Sequence, residues 1–490
     1  MADQREFFFN KKLLISLTPI VLILTNLILK GLYISANGLG GDEPFSVYCA
    51  QMDVSSIINL LKTGNNPPFY EILLHFWIKL FGIGEAAVRF PSYVFSAITV
   101  FFVYKTGKEF YNYRIGTIAG LIFTFSNYHL GFSHEARVYA LFALLSSVSM
   151  YIFLSIIYKN DDLRRKYTCL LIINLLLIYS HYFSFFLIFI QTIAIFWLLY
   201  AEKLKIKYYI IYICVLILFF LPNTSFLWRS FLNSSIHGTW LTSPEDISAL
   251  YNLLWRFSNQ PLTTVFSILV LFAAFIKLIL KKALLTIAVG TKIILLWFFF
   301  PFFFIFAISF WIPMFLDRYL IFISTAYYLL LAISADYIIE KKYYSFILPF
   351  ALIGLFIGSF NPNVDNKCHA REAVYKLISL KDKDTKVIVC PPQFILNFSY
   401  YYNAAIFKEF DDQDLYSKIT RSLKKDSIFA LYRIDGFKIK DCKEVIFVDA
   451  AADFLYPDNH INASLNQSMR LKDTYKFEGK FVISKYEFKD

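Results

Sequence analysis

The sequence predicts an all-α polytopic membrane bundle of about eleven transmembrane helices, with surface helices in its first outer loop, followed by a small α/β domain. Three observations carry that prediction. Long apolar runs recur from residue 13 to residue 360. The 490 residues are 58% hydrophobic and only 17% charged, whereas soluble domains sit near ~25% charged. Positive charge falls in short clusters at every second gap between the runs: Arg5/Lys11/Lys12, Lys105/Lys108/Arg114, Lys159/Arg164/Arg165/Lys166, Lys203/Lys205/Lys207, Lys277/Lys281/Lys282 and Lys341/Lys342. Loops rich in Lys and Arg stay in the cytoplasm, so the alternation predicts the span count and the orientation together.

The elements follow in order. The first run, 13–33, has no small-residue cleavage site after it and reads as an uncleaved first span. Further spans are expected at 88–106, 115–131, 137–158, 168–182, 184–200, 208–226, 262–280, 291–312, 319–338 and 343–360. Starting inside, this series finishes outside, which makes the tail from Asn361 extracytoplasmic. Residues 69–81 (FYEILLHFWIKLF) are apolar but fall short of the ~20 residues that a span needs, and they include Glu71, His75 and Lys79. Counting them as a span would turn every later basic cluster outward, against the positive-inside rule. They are expected instead as an amphipathic surface helix opened by Pro67-Pro68, inside a first outer loop of 34–87.

A second outer stretch, 227–261, holds Trp228, Arg229, His237, Trp240, Trp255 and Arg256, aromatics suited to the headgroup level. From 361 to 490 charged residues become frequent, and β-rich runs at 386–390, 428–432, 444–448 and 480–485 alternate with helical patterns such as 371–380. The chain thus divides into a membrane module, 1–360, and an extracytoplasmic soluble α/β domain, 361–490.

The net charge of +12 is spread over cytoplasmic loops and tail, so it reads as topology and headgroup contact rather than nucleic-acid binding. The six cysteines show neither CxxC nor metal-finger spacing. Cys169 and Cys214 lie in apolar runs, while Cys368, Cys390 and Cys442 share the tail and leave one disulfide open. No internal repeat, GxGxxG or Walker loop is present.

Candidate chemistry gathers in the outer gaps. Asp42-Glu43 follows the flexible run Asn37-Gly38-Leu39-Gly40-Gly41. Two adjacent carboxylates can serve as a general base and a partner that orients it, or be two solvated loop acids. Glu135 stands at another outer boundary, flanked by His134 and Arg137. Outer cations are scarce: Lys79, Arg89, Arg137, Arg229, Arg256 and Arg318. A charge near hydrocarbon is costly unless paired or facing a wet cavity, and arginine offers a fork of donors suited to phosphate. Single arginines can instead pair with Glu43, Glu85 or Asp317, or snorkel; for the set, an anionic headgroup at the outer leaflet is the better account.

Tyr139 and Tyr319 each come just after an arginine at a candidate site. Glu71 and His75 have the i, i+4 spacing of metal ligands, but without a third ligand hydrogen bonding is the favoured role. The candidate set is therefore Asp42, Glu43 and Glu135 for catalysis, and Arg89, His134, Arg137, Tyr139, Arg256, Arg318 and Tyr319 for substrate binding.

The pattern resembles the membrane-embedded GT-C glycosyltransferases, especially the bacterial group related to protein O-mannosyltransferases and aminoarabinose transferases. The resembling residues are Gly41-Asp42-Glu43, Asn66-Pro67-Pro68-Phe69-Tyr70, Leu80-Phe81-Gly82, Glu85-Ala86-Ala87-Val88-Arg89-Phe90-Pro91-Ser92, His134-Glu135-Ala136-Arg137-Val138-Tyr139 and Arg318-Tyr319-Leu320. The resemblance runs through the membrane module, and a soluble extracytoplasmic tail is also similar to many members. It implies a sugar donor on a polyprenyl phosphate or diphosphate, used at the outer face of the bacterial cytoplasmic membrane. The acceptor is a lipid, glycan or protein. It further implies Asp42 as base, Glu43 and Glu135 as supporting acids, and Arg318 with other cations on the lipid phosphate. No cofactor is named, and a divalent metal is left open because no ligand triad is visible.

A transporter or flippase of lipid-linked glycans is the main alternative. It predicts charges at mid-span and duplicated broken helices, and the sequence shows neither. A polymerase or ligase of glycan chains is closer in chemistry. A non-enzymatic anchoring protein would leave Asp42-Glu43 and Glu135 unexplained.

Overall fold

The computed structural model describes residues 2–62, 66–198, 203–237, 241–341, 343–364, 366, 368–409, 416–435, 437–439, 443–478 and 481–488. Trp240, Lys342, Cys442 and Lys480 lie outside the described residues. Two compact units emerge: residues 1–32, 58–73 and 89–364 form the first, and residues 33–57, 74–88 and 365–490 the second.

Helix α1 (Ala2–Gly31) precedes three short helices, α2 (Glu43–Ala50), α3 (Val54–Leu61) and α4 (Phe69–Phe81). Next come α5 (Glu85–Phe110), α6 (Tyr113–Thr124), α7 (Asn127–Ser133), α8 (Tyr139–Tyr158), α9 (Leu163–Ile178), α10 (Ser184–Leu198) and α11 (Lys203–Phe220). The helical part of the first unit ends with α12 (Thr224–His237), α13 (Ser248–Phe257), α14 (Pro261–Leu280), α15 (Val289–Ile308), α16 (Ile321–Ile338) and α17 (Ile347–Gly358).

Among the described residues, six stretches are long and apolar enough to cross a bilayer: Glu85–Phe110, Tyr139–Tyr158, Lys205–Arg229, Pro261–Leu280, Val289–Ile308 and Asp317–Ile338. Ile15–Gly31, Ser184–Trp197 and Ile347–Gly358 are shorter apolar helices. This is a multi-pass membrane protein. Helices α8 and α16 are the most enclosed, whereas α11 and α14 leave most of their apolar surface outward, as lipid-facing helices do.

Close approach is secured by small residues. A Cβ on Gly107 would lie 2.6 Å from the Cα of Gly116, so the α5–α6 hairpin admits only glycine there. Polar contacts supply further cohesion. Ser149 Oγ donates to Asn174 Oδ1 (2.6 Å), and Asn174 Nδ2 donates to Gln191 Oε1 (2.8 Å) and to Tyr212 Oη (2.6 Å), tying α8, α9, α10 and α11.

The surface-helix stretch expected at 69–81 is helical over those residues, and Gly82 ends it with φ +77°. The stretch expected as one span at 115–131 is two helices. Ser126 caps α7 by accepting from His129 N (3.3 Å), and its Oγ also meets Tyr328 Oη at 2.8 Å. A serine that bonds its own backbone competes with helix continuation. The stretch at 227–261, expected as a second outer stretch, contains α13 and most of α12.

In the second unit, helices α18 (Ala370–Leu380) and α19 (Ile395–Tyr402) accompany a five-stranded sheet. Its strands are β1 (Thr385–Cys390), β2 (Ile428–Ala430), β3 (Glu444–Ala450), β4 (Met469–Phe477) and β5 (Phe481–Phe488), in the order β2-β1-β3-β5-β4. β1 runs parallel to β2 and β3, while β5 is antiparallel to β3 and β4. Ile388, Val445, Phe447 and Tyr486 pack with Ile461, Leu465 and Met469 in its core. The sequence reading missed β4, an edge strand with mostly exposed side chains, whose alternation of Met469, Leu471, Tyr475 and Phe477 is broken at Asp473.

Candidate functional site

The two adjacent acids of the second unit have different surroundings. Pro44 in the first turn starts α2, and Asp42 stands at its N-cap with φ −89° and ψ 1°. Asp42 is half-buried, whereas Glu43 is only 2% exposed. Glu43 Oε2 accepts from Gly40 N at 2.9 Å, so its carboxylate folds back onto the loop that precedes it. Of the pair, Asp42 is the more exposed. This division suits a reacting acid and an orienting one.

In the first unit, helix ends collect cations and rings. Arg137 opens α8; its Nη1 lies 3.9 Å from Glu71 Oε1, and both side chains are buried. The Arg137 Cζ is 6.0 Å from the centre of the Tyr139 ring, and the Arg318 Cζ is 5.7 Å from the same ring. Arg318 also lies 5.8 Å from the Tyr319 ring. Tyr319 meets His181 edge-on at 5.5 Å, and His181 stacks on Phe142 at 4.6 Å. Two guanidiniums thus share one aromatic ring at the junction of α8 with the turn before α16.

The remaining candidates are placed around this cluster or apart from it. Arg89 is 1% exposed on α5. Three residues on, Ser92 Oγ donates to Arg137 O at 3.4 Å. His134 ends α7, and its Nε2 meets Lys30 O at 2.6 Å, which fixes the ends of α7 and α1 to each other. Glu135 is half-buried, and its carbonyl accepts from Arg137 N at 2.8 Å. Arg256 is an exposed side chain 3.6 Å from Asp317, the surface pairing weighed for single arginines.

Two residues of this region were not singled out from sequence as site residues. Glu71, considered only as half of a metal spacing, is the carboxylate beside Arg137. Lys30 is fully buried at the end of α1, with Nζ 3.1 Å from Ser96 Oγ and 4.5 Å above the Phe123 ring. Its only sequence signal was a lysine near the end of the first apolar run.

Among the described residues, no three His, Cys, Asp or Glu side chains come together to hold a metal ion. Glu71 is taken by Arg137, and His75 Nδ1 lies 2.9 Å from Ala50 O.

Residues 65–228 match the family described as dolichyl-phosphate-mannose-protein mannosyltransferase. Among solved structures the chain is similar to apo ArnT from Cupriavidus metallidurans, with 10% identity, 95% of this chain and 97% of that one covered, and a TM-score of 0.60. The same enzyme bound to undecaprenyl phosphate gives 12% identity, the same coverage of 95% and 97%, and a TM-score of 0.58. The oligosaccharyltransferase AglB from Archaeoglobus fulgidus, in complex with an inhibitory peptide and a dolichol-phosphate, gives 11% identity, coverage of 98% and 74%, and a TM-score of 0.54. No curated protein sequence matches. The fold is that of the GT-C-type glycosyltransferases.

Proposed function

We propose that this protein transfers a sugar from a polyprenyl-phosphate-linked donor to a lipid, glycan or protein acceptor at the outer face of the bacterial cytoplasmic membrane. The observation that carries the proposal is the pair of guanidiniums, Arg137 and Arg318, over the Tyr139 ring in a GT-C fold. Such a pair suits the phosphate of a lipid carrier, whose negative charge grows as it leaves. The ArnT and AglB structures that hold undecaprenyl phosphate and dolichol-phosphate support that class of donor.

In this reading the acceptor oxygen bonds to the anomeric carbon while the bond from that carbon to the phosphate oxygen breaks. The proton of the acceptor hydroxyl passes to Asp42, and the polyprenyl phosphate departs with the electron pair. Glu43 holds the loop on which Asp42 stands, while Glu135, Arg89, His134, Tyr139, Arg256 and Tyr319 supply binding and charge around the donor. The α/β tail belongs on the same side of the membrane as Asp42.

The direct test uses purified protein in nanodiscs with a panel of labelled polyprenyl-phosphate sugars and lipid, glycan and protein acceptors. Label should pass to one acceptor class with release of one free polyprenyl phosphate per sugar transferred. Movement of an intact lipid-linked glycan across vesicles, with no bond broken, would make the protein a transporter instead. Sidedness has its own check. In a cysteine-free background, Thr385→Cys should react with an impermeant maleimide on intact cells while Asp162→Cys stays protected. The reverse pattern would invert the topology.

A further inference from the structure

The loop that leads into Asp42 is held along its backbone by side chains of the tail, all within the second unit. Arg371, on α18, donates from Nη1 to Ser35 O (3.2 Å) and from Nη2 to Ala36 O (2.5 Å). Asn366 Nδ2 donates to Gly38 O at 2.8 Å. Tyr401, on α19, accepts from Leu39 N at 2.5 Å, and Asn397 Nδ2 donates to Leu39 O at 3.4 Å. The next amide, Gly40 N, goes to Glu43.

Glu85 organises this grip. Its Oε1 accepts from Tyr401 Oη at 2.6 Å, and its Oε2 from Arg371 Nη1 at 2.8 Å. A phenol has one proton. With that proton given to Glu85, a Tyr401 lone pair is left for Leu39 N–H. Burial, together with the Glu85 carboxylate, holds the Tyr401 phenol well above its ordinary range, so this polarity persists across physiological pH.

The glycines before Asp42 record the same contact. A Cβ at Gly38 would lie 3.0 Å from Tyr401 Oη and 3.1 Å from Arg371 Cβ; one at Gly40 would lie 2.8 Å from Cys368 Cβ. The run Asn37–Gly41, read from sequence as flexible, is small because tail side chains pack against it. Gly41 differs, having open space but φ +52°.

We infer that Tyr401, with Arg371 and Glu85, is a positioning device by which the tail fixes the loop that carries Asp42. The inference rests on the reading of Asp42 as base and adds to it a role for the tail in the transfer step. Tyr401 is a positioning residue: it acts through the Leu39 amide and touches no substrate. Removing its hydroxyl loosens the loop, which slows the step that needs Asp42 in register and leaves donor binding alone.

The test compares Tyr401→Phe, Arg371→Lys and Asp42→Asn in full-length protein in nanodiscs, by kinetics and by hydrogen–deuterium exchange over 35–43. Tyr401→Phe removes two hydrogen bonds, the one to Glu85 and the one from the Leu39 amide; the second is the one that holds the loop, and its loss corresponds to about a tenfold change in an equilibrium. Tyr401→Phe should therefore raise exchange over 35–43 and lower kcat by about tenfold, with KM for the donor and thermal unfolding unchanged. Arg371→Lys keeps a charge for Glu85 but cannot serve both carbonyls, so its loss should be intermediate. Unchanged exchange in Tyr401→Phe would overturn the inference, as would raised exchange with wild-type kcat. Wild-type kcat in Asp42→Asn would sink the base reading itself. An inactive Asp42→Asn beside a fully active Tyr401→Phe would sink only the positioning role.

Discussion

Asp42→Asn is expected to lower turnover by ~10²–10⁴-fold, the range for loss of a general base, with folding and donor affinity preserved. Asparagine keeps the size of the side chain, and Asp42 makes no side-chain cap bond that the change could remove, so α2 should start where it does now. What it cannot do is accept the acceptor's proton. Glu43→Gln should be milder, because glutamine retains an amide oxygen for the Gly40 N–H that Glu43 now accepts. Glu135→Gln should fall between them, or act through donor binding. Single-turnover rates beside donor affinity separate these cases. Normal turnover in Asp42→Asn would end the mechanism, and lost donor binding with an intact chemical rate would make Asp42 a donor ligand.

Much of the fold was legible because membrane constraints act locally. A bilayer demands apolar runs of a set length, and a helix lies within each expected span, though among the described residues six stretches are long and apolar enough to cross a bilayer and the span at 115–131 is broken. The helix at 69–81 could be delimited because two prolines precede it and a positive-φ glycine follows it. What escaped notice involved competition or distance. The break before α7 depends on Ser126 bonding the backbone and Tyr328 at once, and the second contact has no local sign. β4 pairs with β5 along its length, and its alternating apolar positions are interrupted by Asp473 and mostly exposed. The candidate acids and arginines were singled out as sparse polar residues at span ends. Their division of labour could not be read that way. That Glu43 turns back to Gly40, that Arg137 takes Glu71, and that Tyr401 holds Leu39 are facts of packing between residues up to 362 positions apart.

Arg318→Ala should reduce kcat/KM for the lipid-linked donor by ~10²–10³-fold, the scale on which one donor to a developing charge acts. The physical case starts from position. Arg318 lies in the short turn Asp317–Leu320 ahead of α16, where Asp317 Oδ1 accepts from the Arg318 amide at 2.7 Å. Its guanidinium lies near two rings, Tyr139 and Tyr319, at 5.7 Å and 5.8 Å. Lysine at this position keeps the charge but loses the planar fork and the stacking. Arg318→Lys should therefore recover part of the loss, about tenfold, as a point charge against phosphate. Arg137 is a poorer probe of the same idea. Its truncation strands the buried Glu71 carboxylate, and breaking a buried pair destabilises by ~3–5 kcal/mol, so lost activity would be confounded with lost fold. Competition by free polyprenyl phosphate supplies the second readout, since weaker inhibition should accompany weaker donor use if both engage Arg318 through phosphate. Wild-type kinetics in both Arg318 variants would remove this arginine from the site, and a loss of turnover with undiminished inhibition would move it from the phosphate to the sugar or acceptor.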